Sequence, residues 1–179
     1  MSTVTILGKI KEFLEEEVAP KIKLQKASDN NVDSYELVNP QVFIGWLPPN
    51  GCIPEGLTHT IPCLLVGLED SSDDGNEGEI NIRISAAVYS PGMHKIAGVA
   101  EASTTEFKAD FQGYVDLLNL LDRTTAKLIK AQVIKNSVPL VYPVKSGMYQ
   151  EQPYPFWYGW ITFSVKRPAY PKVDVAKFL

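Results

Sequence analysis

The chain has 179 residues, 45% of them hydrophobic and 21% charged, and a formal net charge of −4. That length suffices for one domain with a real core, while the acidic balance leaves no basic stripe for neutralising phosphates. Sequence-specific nucleic-acid binding is therefore not expected. No apolar run approaches the ~18 residues of a bilayer span, so no membrane contact is expected either.

The first element is an amphipathic helix over 3–19. Ile6, Leu7, Ile10, Phe13, Leu14 and Val18 recur at three- and four-residue spacing, Ser2 or Thr3 can cap it, and Pro20 stops it. No basic segment followed by a long apolar run precedes it, so no signal peptide is expected. The alternating lysines Lys21, Lys23 and Lys26 read as the exposed edge of a short strand. Residues 21–62 look mostly extended, punctuated by five prolines, with Val42-Phe43-Ile44-Gly45-Trp46-Leu47 as the one dense apolar run. Two readings stay open for this stretch: an arm that wraps a neighbour, or a meandering surface loop.

A strand hairpin follows. It runs up through Cys63-Leu64-Leu65-Val66 and back through Ile80, Ile82 and Ile84, around the acidic turn Glu69, Asp70, Asp73, Asp74, Glu77 and Glu79. Six carboxylates with no base between them predict an open, mobile tip. Residues 91–112 read as a second long loop. A second helix over 113–131, with an apolar surface broader than one stripe, is expected to be central and partly sandwiched. Strands near 138–142, 144–149 and 156–166 complete the order, and a tail occupies 168–179. The expectation is one α+β domain over 1–167, with two helices on one face of a mostly antiparallel sheet and long extended arms.

The last strand is the most informative. Pro153 and Pro155 predict an extended lead-in, after which Trp157, Ile161 and Phe163 share one face, expected to meet the second helix. Tyr158 and Trp160 begin the other face, which turns polar at Thr162, Ser164 and Lys166. A strand aromatic on both sides at its start needs cover on both sides, and a neighbouring subunit is a natural cover for the second. Tyr158 and Trp160, with Phe43 and Trp46 of the extended stretch, are the candidate subunit contacts.

Signals for chemistry are weak. His59 and His94 are the only imidazoles, and neither has a metal-ligand spacing, so no catalytic residue, metal or cofactor is assigned. Cys52 and Cys63 read as small buried hydrophobes in a reducing compartment rather than as a disulfide framework. Asp70, Ser72, Asp74 and Gly75 match the first half of an EF-hand loop, but Asn81 stands where the closing Glu should be. A cleft near Trp46 and Trp160 serving a small molecule is the alternative to assembly.

Three phrases carry a family likeness: Pro40-Gln41-Val42-Phe43-Ile44-Gly45-Trp46-Leu47-Pro48-Pro49, Gly113-Tyr114-Val115-Asp116-Leu117-Leu118-Asn119-Leu120-Leu121, and Gln152-Pro153-Tyr154-Pro155-Phe156-Trp157-Tyr158-Gly159-Trp160. With the element order, they make the chain resemble the tail-terminator and tail-completion (neck) proteins of long-tailed bacteriophages and prophage-derived tail particles. The resemblance implies a ring, usually of six copies, that caps the tail tube, ends its polymerisation and joins it to the head connector. It implies the tube protein, a connector or neck protein and, for a contractile tail, a sheath protein as partners. The expected location is the virion, after assembly in the host cytoplasm. The family has no catalytic residues to carry over. In such a ring the acidic turns would either line the channel or sit on the outer rim.

Overall fold

Helix α1 (Thr3–Glu17) begins where Ser2, in extended conformation, accepts a hydrogen bond from the Thr5 N–H at 3.2 Å. A computed structural model describes residues 1–27, 35–49, 52–92 and 111–170. Most of the loop expected at 91–112, with His94, and most of the tail expected at 168–179 therefore lie outside the described residues. The architecture is α+β: two helices and a mostly antiparallel sheet. Strands β1 (Leu24–Gln25) and β2 (Leu37–Val38) form a small antiparallel pair. The main sheet has six strands in the order β3 (Gln41–Ile44), β4 (Cys63–Asp73), β5 (Glu77–Tyr89), β8 (Phe156–Pro168), β7 (Val138–Met148) and β6 (Val133–Ile134). All neighbours are antiparallel except β3 and β4, which run parallel.

Alternation along the strands sorts the side chains into two clusters. The larger holds Leu64 and Val66 of β4, Ile80, Ile82 and Ile84 of β5, and Ile161, Phe163 and Val165 of β8. The buried residues of α1 and of α2 (Gln112–Ala131) belong to the same cluster. The smaller holds Phe43, Ile61, Cys63, Ala87 and Tyr89, with Phe156 and Tyr158 packed on it. Helix α2 lies close on β8. A methyl group added to Gly159 would meet Leu121 Cδ1 at 2.9 Å and Leu117 Cδ1 at 3.4 Å. Helices α1 and α2 are also tied by Glu17, whose carboxylate accepts from Lys21 at 2.7 Å and from Lys127 at 3.0 Å. Hydrogen bonding to Lys21 and then to Lys127 holds that carboxyl at about 2.

Five expectations need correction. Among the described residues nothing sandwiches helix α2. Its buried residues Leu117, Leu120, Leu121, Thr124 and Leu128 form a single stripe, while Val115 and Ile129 are exposed. The strands expected at 138–142 and 144–149 are one strand, interrupted where its register with β8 shifts between Val141 and Lys145. The lead-in to β8 is a turn rather than extended chain, since the Phe156 N–H donates to the Pro153 carbonyl at 2.8 Å. The described part of 21–62 is no free arm. Strand β3 joins the main sheet, Ala27 N–H donates to the Ile61 carbonyl at 3.0 Å, and Asn39 Nδ2 donates to the carbonyls of Ala19 and Ile22 at 2.9 and 2.8 Å. The acidic turn is no open loop either: β4 and β5 stay paired out to Asp73 and Gly78.

Candidate assembly surface

The even residues of β8 start the second face of the sheet. Tyr158 stacks on Phe156 with ring centroids 6.3 Å apart and rests on the smaller cluster. Its backbone is clamped by Gln152, which accepts from the Tyr158 N–H at 2.6 Å and donates to the Tyr158 carbonyl at 2.9 Å and the Tyr149 carbonyl at 2.7 Å. Trp160, the next residue on this face, is half-buried. Its ring lies over Gly147 of β7, where an added methyl would come within 2.8 Å, and the Arg83 guanidinium stands 6.0 Å from the ring centroid. This is a cation–π contact at the outer limit of useful range. Beyond Trp160 the face is polar, with Thr162 and Ser164 of β8 and Asn81 of β5, and Ser164 and Asn81 share a side-chain hydrogen bond.

The four candidate contacts differ in what they offer. Phe43 is 8% exposed and belongs to the smaller cluster, so the chain's own residues enclose it. Trp46 is 65% exposed, just past the end of β3. Tyr158 and Trp160 are partly covered. Trp46 and Trp160 are not neighbours: β4 and β5 lie between β3 and β8, a separation of roughly 14 Å at about 4.8 Å per strand.

The acidic residues form a charge-compensated ribbon. Glu69 sits at the register shift between Leu68 and Asp70 and pairs with Arg83. Asp70 accepts from Asn81 Nδ2 at 2.7 Å. Glu77 pairs with Lys166 at 2.6 Å, and Asp73 with Arg167 at 3.1 Å. Asp74 caps the turn, accepting from the N–H groups of Asn76 and Glu77 at 2.7 and 2.8 Å, and these bonds lower its pKa. Glu79 faces the Lys166 ammonium, whose pKa is raised first by its hydrogen bond to Glu77. The cations Lys166 and Arg167 come from β8, nearly ninety residues further along the chain, so no local pattern could announce them. Arg167 is buried: it lies against Gly78, its guanidinium is 3.9 Å from the Tyr170 ring centroid, and Tyr170 N–H donates to Asp73 at 3.0 Å. The hollow of about 240 Å³ between Ser72, Asp73, Asp74, Glu77 and Glu79 also takes in Lys166, a poor neighbour for calcium.

His59 is buried, with Nε2 3.0 Å from the Asn39 carbonyl and Nδ1 3.1 Å from the Thr58 hydroxyl. Burial lowers its pKa. Cys63 is buried and its thiol is pushed up to about 12, while Cys52 is exposed, contrary to the expectation that both are core residues. An open groove of about 650 Å³ runs between Ile22 and Leu24 and the outer side of α2, edged by Asp116, Arg123 and Lys127. Among the described residues no group of three or more His, Cys, Asp or Glu side chains could hold a metal ion. No helix among them is long and apolar enough to cross a membrane. No protein-family model matches the chain, and no curated protein matches it.

Proposed function

We propose that this chain is a structural assembly protein that acts as a ring, in the manner of the tail-terminator and tail-completion proteins its three phrases resemble. The observation that carries this reading is the distribution of its aromatic surface. Trp46 stands almost bare at one side of the sheet, and Trp160 is half-covered on a face that has no helix residues in its cluster. Large exposed aromatics on rigid strands offer contact area at little ordering cost, which suits a protein whose work is to hold copies together. In the finer fold reading, α1 and α2 both lie on the side of the sheet carrying Leu64, Ile82 and Phe163. The 21–62 segment then presents its outer surface to a neighbour without leaving its own sheet.

In this reading a ring of six caps the tail tube, ends its growth and meets the head connector, and the protein resides in the virion neck. The acidic ribbon has six carboxylates against Arg83, Lys166 and Arg167, leaving a net −3 per copy. Lining the channel, that residual charge would discourage DNA from adhering, with a reach of roughly 8–10 Å at physiological salt. The test is the particle mass by light scattering, with negative-stain images of the protein alone and mixed with tail tubes. Rings that seat on tube ends are the expected result. A monomer that ignores the tubes at tens of micromolar overturns the proposal.

A further inference from the structure

Two strands of the sheet present backbone edges that no described residue pairs with. Strand β3 covers β4 only from Cys63 to Val66, with Gly45 N–H donating once more to the Val66 carbonyl at 2.9 Å. From Gly67 to Asp73, β4 pairs on the β5 side alone, with Glu69 bulged out of the register. On the other side of the sheet, β6 covers only Val138 and Pro139 of β7, and Leu140 N–H donates to the Gln132 carbonyl at 2.9 Å. The outer side of Lys145–Met148 has no partner among the described residues. An open strand edge is a template for another strand, and proteins that do not use one usually blunt it.

We infer that these two edges join: β7 of one copy adds to the β4 edge of the next, extending the sheet from subunit to subunit. This deepens the ring reading above and rests on it. The occupant is a second copy for three reasons. First, direction: β7 is antiparallel to β8, which runs parallel to β4, so a rotation about an axis along the strands brings β7 antiparallel onto the neighbour's β4. Two different edges meeting head to tail generate a ring where the rotation closes, whereas one edge meeting itself stops at a dimer. Second, charge: a β4–β4 joint would set Glu69, Asp70 and Asp73 against the same acids, while the β7 edge carries Lys145. Lys145 and Asp70 lie on the same face of the sheet, since Lys145 pairs with Thr162, Asp70 with Asn81, and Asn81 with Ser164. Third, apolar surface: Leu68 continues the alternation of Leu64 and Val66 yet is 48% exposed, and Ile44 and Trp46 stand exposed at the end of β3. Half-buried Met148 at the end of β7, and exposed Tyr149 just past it, occupy the matching end.

The end of β3 sets the register. Ser146 is level with Val66 within one subunit, so an incoming β7 must slide about two residues toward the ribbon tip, roughly 7 Å, before Lys145–Gly147 clear β3. Stagger of this kind accompanies strand tilt when sheets close into a ring. It puts Lys145 opposite Asp70 of the neighbour and, past the bulge at Glu69, Ser146 opposite Leu68 and Gly147 opposite Gly67, so that Met148 meets the end of β3.

The test is disulfide trapping in a Cys52→Ser background, with Asp70→Cys and Lys145→Cys in one chain. Within a subunit the two positions are three strand spacings apart, roughly 14 Å, too far for an internal bond. The expected result under oxidation is a ladder of covalent multimers on a non-reducing gel, lost when either cysteine is omitted. Leu68→Cys with Ser146→Cys, which face each other in the same register, is the second pair should the first fail to fold. Wild-type rings in which neither pair cross-links, although the variants assemble to wild-type mass, overturn the joint while leaving the ring reading intact. A monomeric wild type overturns both.

Discussion

Phe163 pairs with Ile82 across β5 and β8 and packs in the larger cluster, 4% exposed. Phe163→Ala is expected to cost about 3–5 kcal/mol, the range for deleting a buried aromatic, measured by urea unfolding. His59 gives a pH signature. Its Nε2–H donates to the Asn39 carbonyl and its Nδ1 accepts from Thr58, an arrangement that suits the neutral ring, and burial lowers its pKa from the ordinary 6.5. The unfolded chain therefore takes up the proton first. The stabilisation is complete above 6.5 and is lost as pH falls through the lower folded value. Melting temperatures between pH 7.5 and 5 should fall in the wild type and fall less steeply in His59→Asn. Parallel slopes would remove His59 from the account.

At the scale of elements, Gly159 is where β8 passes beneath α2. An added methyl there meets Leu121 Cδ1 at 2.9 Å and the Gly147 carbonyl oxygen at 3.0 Å, and the second of these is backbone that cannot swing aside. Gly159→Ala is expected to destabilise by about 1–3 kcal/mol, the usual cost of overpacking, read from the denaturation midpoint. The helices themselves were legible. Apolar spacing, with the stop at Pro20, brings α1 and α2 within about two residues of where they lie. The ribbon was not legible, because acidic residues have low strand propensity and its cations stand on β8. Strand β3 was missed for a related reason. Its four residues gain regular structure only by parallel pairing with β4, a contact that proline-broken sequence does not advertise. The face assignment of Trp157, Ile161 and Phe163 was legible, since period-two alternation needs no partner to be seen.

For the whole molecule, the acidic ribbon is both a stability device and the proposed lining of a channel, and the two roles separate experimentally. Replacing Glu69, Asp70, Asp73, Asp74, Glu77 and Glu79 with Gln and Asn strands Arg83, Lys166 and Arg167 without counter-charges, the last of them buried. The melting temperature should fall, chiefly through Arg167. Particles that still assemble should also eject DNA more slowly. Ejection at the wild-type rate would leave the ribbon a stability device alone. Of the candidate surface, Trp46 and Trp160 were legible as unspent aromatics. Phe43 was not legible as a core residue, because its cover comes from the smaller cluster around Ile61, Cys63 and Tyr89.

The borrowed cations of the ribbon also bear on the order in which the chain can fold. Residues 63–89 contain six acids and a single base, Arg83, so this hairpin on its own carries a net −5 that opposes its closing. It leaves the ribosome long before Lys166 and Arg167 exist. Its closing should therefore gain from the arrival of Lys166 and Arg167, and before that from added salt that screens the young hairpin.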